Sequence, residues 1–170
     1  MTSFSIRRAT AADVRVIARH RAEMFSDIGS LPRSLYDRLV ADTIAYLEKA
    51  IPSGEYLGWL VAPAGKPEEI VAGGGVQLRR TLPHTVNADG EAVLVQGRQG
   101  IVLNVYTEKA WRGKGAARAL MEAIMTWAHT SGLETLVLHA SKDGRHLYET
   151  LGFVQTNEMR YQGLLGGDSR

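Results

Sequence analysis

The sequence predicts one mixed α/β domain. An alternating strand pattern near the N-terminus is followed by two helical periodicities, then by three strand-like runs, and from residue 115 onward helix and strand patterns alternate. The chain has 170 residues, 45% of them hydrophobic and 22% charged, enough for one sizeable core and too few for two. The domain is expected to span residues 1–162, because the tail 163–170 has little to bury and reads as flexible.

Each element has its own signal. Residues 4–9 alternate as a half-buried strand does, and Thr10-Ala11-Ala12-Asp13 offers capping groups to a helix whose apolar stripe is Val14, Ile17, Ala18, Met24 and Phe25. Pro32 and Ser34 open a second helix through Leu35, Leu39, Ile44 and Leu47, closed by Pro52 and Gly54. Residues 56–62 and 70–78 are apolar and β-forming, and the link Pro63-Ala64-Gly65-Lys66-Pro67 makes them an antiparallel hairpin. Gly73-Gly74-Gly75 within the second run signals a bulge, a bend or a close approach, with a bend preferred. Residues 83–100 hold His84, Asn87, Asp89-Gly90 and Gln96-Gly97-Arg98. They read as a turn-rich excursion beside an active site, with one short strand at 92–95. A strand over 101–107 precedes a helix carrying Ala116, Leu120, Ala123, Ile124, Trp127 and Ala128 on one face, stopped by Ser131-Gly132. Residues 133–139 form a nearly continuous apolar run, as in a strand buried on both faces. A short helix over 145–151 ends at Gly152, and residues 154–161 are expected to form the last strand.

Composition excludes several function classes. With no cysteine there is neither a disulfide, nor a thiolate metal site, nor a thiol nucleophile. No apolar stretch approaches the ~20 residues that cross a bilayer, and the first eight residues hold no signal-peptide core, so a soluble cytoplasmic protein is expected, with no membrane partner. The formal charge is +2 and the basic residues are scattered; even Arg79-Arg80 reads as a solvated strand end, so no nucleic-acid groove is indicated.

The informative stretch is Arg112-Gly113-Lys114-Gly115-Ala116-Ala117, which joins the 101–107 strand to an amphipathic helix. Small residues let backbone N–H groups approach an anion together, and the positive end of the helix adds to the attraction, so the junction suits a pyrophosphate. A Walker A loop is excluded, because Glu108 and Gly115 stand where it needs Gly and Ser or Thr. A dinucleotide fingerprint fits Gly113 and Gly115 and then meets Arg118 instead of a small residue. What remains is R-x-x-G-x-A, followed beyond the next strand by Leu147-Tyr148-Glu149-Thr150-Leu151-Gly152-Phe153.

That ordered pair resembles the motifs of the GNAT superfamily of acyl-CoA-dependent N-acetyltransferases, over most of the chain. The resemblance implies a mixed, mostly antiparallel twisted sheet with helices on both faces, whose fourth and fifth main strands splay apart to admit acetyl-CoA, the co-substrate, with no metal. Val105, Tyr106 and Thr107 would offer backbone groups to the pantetheine and the acetyl carbonyl, as a neighbouring strand would. Gly113, Lys114, Gly115, Ala116, Ala117 and Arg118 would hold the pyrophosphate, mostly through N–H groups, with Arg112 bonding phosphate or bracing the loop and Trp111 packing on the sheet. Tyr148 would protonate the departing thiolate, since a phenol of ordinary pKa about 10 keeps its proton at neutral pH. Ser141 stands where the family often has a coenzyme-binding asparagine, and a water would have to bridge its shorter reach.

The base that takes the amine proton is not legible. Related peptide acetyltransferases carry a glutamate on the fifth strand where this chain has Leu136. Glu108, Glu91, His139 and His84 are chemically able, and a water oriented by Asn104 and Tyr106 would also serve. Acceptor identity in the superfamily resides in the first two helices and their connection, where Glu23, Asp27, Tyr36 and Asp37 can draw a cation without being assigned to one. The expectation is therefore transfer of an acetyl group from acetyl-CoA to a small-molecule or peptide amine by direct attack in a ternary complex. The alternative is an acyl-CoA-binding sensor without transfer. Homodimers are frequent in the superfamily, and one is expected here.

Overall fold

A computed structural model describes residues 2–156 and 158–161. The backbone separates into two compact units, divided between His139 and Ala140. In chain order the first runs β1 (Phe4–Arg8), α1 (Val14–Asp27), α2 (Tyr36–Ser53), β2 (Tyr56–Pro63), β3 (Ala72–Arg80), β4 (His84–Ala88), β5 (Glu91–Val95), β6 (Arg98–Thr107), α3 (Ala116–Thr130) and β7 (Thr135–Leu138). The second holds α4 (Arg145–Thr150).

Five strands form one sheet in the order β1-β2-β3-β6-β7, and β4 pairs with β5 apart from it. All neighbours in the large sheet are antiparallel except β6 and β7, which the α3 crossover makes parallel. The helices of this unit cover both faces. At Gly58 a Cβ would meet Ile17 of α1, whereas the next residue, Trp59, stacks its ring on Trp127 of α3 at 5.2 Å. Between the sheet and the first two helices, Val14, Ile17, Leu47, Ala50, Tyr56 and Leu60 make a buried cluster. Each large member contributes about 2 kcal/mol relative to an exposed side chain.

The entry to α1 is fixed locally. Thr10 Oγ1 accepts from the Ala12 N–H, and the Asp13 carboxylate accepts from the Thr10 N–H at 2.8 Å. Arg7 forks onto Asp13 at 2.9 and 2.7 Å, holding that carboxyl down to about 2.

Four sequence expectations change. The glycine triad lies opposite a bulge instead of making a bend: Gly73 pairs with Tyr106 and Gly75 with Leu103, so Gly74 faces two residues of the bulged strand β6, Asn104 and Val105. The 83–100 excursion is a hairpin, with Asp89 (φ 53°) and Gly90 (φ 87°) supplying the left-handed turn. Asp-Gly was the signal for it, masked by the polar residues around it. Strand β7 is shorter than the apolar run and is the edge of its sheet, half-buried at all four positions. The expected last strand, 154–161, is irregular over its described residues, where Val154, Met159 and Tyr161 are 81%, 94% and 72% exposed. Their β-propensity does not order them without a ladder partner. The tail expected at 163–170 lies outside the described residues.

Candidate active site

Strand β6 has two regimes. Its residues Gln99 to Val102 pair with Thr135 to Leu138 of β7, and beyond Val102 that pairing ends while β6 continues to Thr107 along β3. The bulge sits just past this point, at Asn104, whose φ of 60° is held by its side chain. Asn104 Oδ1 accepts from Arg21 of α1, and its amide donates to the Tyr56 hydroxyl at 3.5 Å. Asparagine tolerates the left-handed region better than most residues, and a bulge sharpens strand twist, so β6 changes course just past the last residue of β7, Leu138. The edge carrying Val105, Tyr106 and Thr107 is thereby left without a β7 neighbour.

The glycine loop that follows is shaped for an anion. Gly113 and Gly115 take φ of 74° and 91°, and a Cβ on either would point into open space. Helix α3 starts at Ala116 with Gly115 as N-cap and no side-chain cap. The Ala119 N–H donates to the Gly115 carbonyl at 3.0 Å, so the N–H groups of Ala116 and Ala117 precede the bonded ladder. Ala116 is buried and Ala117 half-buried, which lets the loop lie close to whatever it binds. Lys114 and Arg118 stand exposed; Lys114 Nζ lies 4.8 Å from the Trp111 ring centroid and Arg118 3.9 Å from Glu122.

Arg112 braces this loop. Its Nε donates to the Thr107 carbonyl at 3.0 Å, its Nη2 pairs with Asp27 at the end of α1, and the guanidinium lies 5.6 Å from the Tyr106 ring. Lys109 adds a second cation to Asp27 at 3.2 Å, and the hydrogen bond from Arg112 holds that carboxyl below its ordinary range. Trp111 packs edge-on to Phe4 at 6.2 Å, in line with the structural role expected of it.

Two of the candidate bases, Glu108 and His84, are engaged by neighbours. Glu108 accepts from Arg19 at 2.6 Å and lies 3.2 Å from His20 Nε2. His84 Nδ1 sits 2.9 Å from the Leu82 carbonyl. Asn104 is engaged by Arg21 and Tyr56, and Glu23 accepts the Tyr36 hydroxyl at 2.7 Å, which pushes that phenol up to about 12.

His20 was not singled out from the sequence, yet it is 1% exposed and lies against Tyr106 at 5.0 Å. Its position three residues after Ile17 on the buried stripe of α1 was the available signal. Burial, with the charge of Arg19, pushes its imidazole down to about 4 against the opposing pull of Glu108 and Glu23. A folded pKa below the unfolded value of about 6.5 means the unfolded chain binds more protons between the two, so stability falls as pH drops from 6.5 toward 4. Chemical denaturation midpoints are expected to fall as pH is lowered through that window. His20→Gln should flatten the loss, and an equally steep fall in that variant would assign it to other groups.

The second unit carries Tyr148 and Ser141. Tyr148 lies on α4 with its ring edge-on to Phe153 at 6.1 Å, and burial raises its phenol. Its hydroxyl has no hydrogen-bond partner among the described residues. Ser141 Oγ accepts from the Gly144 N–H at 3.2 Å, so it shapes the turn into α4, and Gly152 closes that helix with φ of 89°.

The profile of the acetyltransferase (GNAT) domain matches residues 58–155. The chain belongs to the GNAT acetyltransferase family. A GCN5-related N-acetyltransferase from Ralstonia eutropha JMP134 superposes with a TM-score of 0.81 at 26% identity, covering 96% of this chain and all of that one. A predicted acetyltransferase with acetyl-CoA from Clostridium acetobutylicum gives 0.76 at 23% identity, over 96% and 97% of the two chains. Glucosamine-6-phosphate N-acetyltransferase from Arabidopsis thaliana gives 0.62 at 16% identity, over 96% and 99%. The last two share the fold. No curated protein matches the chain. Membership in this GNAT family supports an acyltransferase, and the family uses acetyl-CoA.

The residues present fit that coenzyme. Two left-handed glycines with nothing in front of them and an uncapped helix start suit a pyrophosphate, and the unpaired β6 edge suits an amide-bearing pantetheine. Gly115→Ala is expected to weaken coenzyme binding at least tenfold by calorimetry, about 1.4 kcal/mol, since the added Cβ takes space the anion needs. Fold stability should fall by only about 1 kcal/mol for the left-handed alanine. An unchanged affinity would remove the loop from the binding site.

Proposed function

We propose that this GNAT protein is an N-acetyltransferase that moves an acetyl group from acetyl-CoA to a primary amine by direct attack within a ternary complex. The observation that carries the reading is the edge of β6 past Val102, without a β7 partner among the described residues, adjoining a loop whose two left-handed glycines open onto empty space. Bound coenzyme supplies a thioester: the C–N bond to the amine forms as the C–S bond breaks, and the electron pair departs on sulfur.

The chain's own residues position and move protons. Backbone groups of Val105 and Tyr106 orient the acyl carbonyl along β6, and a donor aimed at its oxygen is worth ~3–4 kcal/mol as negative charge develops there. Thr107 contributes less, because its carbonyl is occupied by Arg112. Gly113 to Arg118 hold the pyrophosphate, and Arg112 keeps the loop against Asp27. Tyr148 gives its phenolic proton to the sulfur. The amine proton leaves through water, since Glu108 is bound by Arg19 and His20.

The test is thiol release from acetyl-CoA across a panel of amino acids, polyamines, aminoglycosides and peptides. Amine-dependent release with a stoichiometric N-acetyl product is expected. Tight coenzyme uptake without release for any acceptor would replace the enzyme by a sensor.

A further inference from the structure

The junction of the first two helices carries more charge than its own pairs use. Glu23 accepts from Tyr36, Asp27 from Arg112 and Lys109, and Asp42 lies 3.6 Å from Arg38. Two charged residues there are left over. Among the described residues neither the Arg33 nor the Asp37 side chain has a hydrogen-bond or ion-pair partner. They stand four apart, a spacing at which opposite charges commonly meet, yet they do not bridge. Arg33 lies in the 3-10 turn ahead of α2, and Asp37 in the first turn of the helix. Both line one cavity of about 560 Å³, together with Ser26, Leu31 and Tyr36.

This cavity adjoins the proposed acyl site. Its wall residue Ser26 immediately precedes Asp27, and Asp27 pairs with Arg112, whose guanidinium lies 5.6 Å from the ring of Tyr106 on the open edge of β6. Its size lies in the range of small-molecule sites, ~300–1,000 Å³. One cation and one anion facing a common space match a ligand that carries both. A polyamine or an aminoglycoside would leave Arg33 opposed to like charge, whereas an acidic amine satisfies both residues.

Building on the acetyltransferase reading, we propose that the cavity receives the acceptor, and that the acceptor is a small amine bearing an acidic group, as an amino acid does. Its carboxylate or phosphate meets the Arg33 guanidinium, a fork suited to such oxyanions. Asp37 attracts the ammonium form that prevails at neutral pH, and Leu31 offers an apolar contact for a short side chain.

Steady-state kinetics with acetyl-CoA on amino acids, phosphate-bearing amines and the matching amines without the acidic group tests this. The acidic amines are expected to have at least tenfold lower KM. Arg33→Ala should raise that KM about tenfold, with kcat and the KM for acetyl-CoA within twofold, and Arg33→Lys should recover part of the loss. Asp37→Asn should raise the same KM. Both residues are exposed, so thermal melts should be unchanged. A preference for polyamines or aminoglycosides, or an acceptor KM indifferent to Arg33→Ala, overturns the proposal while leaving the acetyltransferase reading intact. Where no acceptor turns over, calorimetric titration of the same amines into the coenzyme-bound protein decides, and absent binding overturns it. Failure to bind coenzyme A at all overturns both.

Discussion

Tyr148→Phe is expected to lower turnover by about 10²- to 10³-fold while leaving acetyl-CoA affinity within about twofold, the range a positioned general acid supplies. The substitution removes one oxygen and keeps the ring, so its edge-on contact with Phe153 at 6.1 Å persists and α4 has no reason to unfold. The lost group is a hydroxyl with no hydrogen-bond partner among the described residues. Burial raises its pKa, so the proton stays on oxygen throughout the neutral range, and wild-type turnover should show no loss from this group below pH 10. Steady-state kcat and a calorimetric coenzyme titration on the two proteins separate the effects. Unchanged kcat removes Tyr148 from the chemistry, and lost coenzyme affinity with unchanged kcat makes it a binding residue.

Gly75→Ala is expected to cost about 3 kcal/mol of stability, the upper end of ordinary overpacking. A Cβ at this position would lie 2.3 Å from both the ring and the hydroxyl oxygen of Tyr56 and 2.7 Å from the Leu57 carbonyl. Tyr56 is 2% exposed and packed in the main cluster, so it cannot swing aside, and the carbonyl belongs to the paired strand. Chemical denaturation should report the loss, with a fall in melting temperature of about 6–12 °C. The strain also reaches function. Tyr56 accepts from the Asn104 amide at the bulge, so moving its ring disturbs the bulged residue of β6 that precedes Val105 and Tyr106. Coenzyme affinity should fall with stability. A loss under about 1 kcal/mol would show that the sheet yields at this point more easily than its packing implies.

Much of the architecture was legible because its signals are local. Helix α1 follows from the Thr10 to Asp13 cap and the Val14, Ile17, Ala18 stripe, α3 from the small residues ahead of Leu120, and the β2–β3 hairpin from the link at 63–67. The left-handed path of the loop ahead of α3 was legible for the same reason, since Gly113 and Gly115 announce a backbone conformation that other residues resist. Less was legible where a residue's role depends on a distant partner. The glycine triad could have been bend, bulge or crowding, and the choice was made by Asn104 and Tyr56, which lie far from it in sequence. His20 resembled any polar residue on a helix until Glu108 and Tyr106 arrived beside it. The apolar run at 133–139 looked like a central strand, but only its neighbours could decide that β7 stands at the edge.

The linear order of residues determined the mixed fold, the loop that suits a pyrophosphate, and the tyrosine that suits an acid, because each depends on periodicity, glycine backbone freedom or side-chain chemistry carried within a few positions. Tertiary structure alone decided that Arg112 is tied to Asp27 instead of standing free, that Glu108 is spent on Arg19 and His20, and that the Arg33 and Asp37 side chains line one cavity with no partner among the described residues. Those outcomes depend on charges brought together across more than eighty positions in some cases, as for Arg112 and Asp27, separated by 85. Electrostatic pairing depends on distance in space, and sequence separation gives no measure of it.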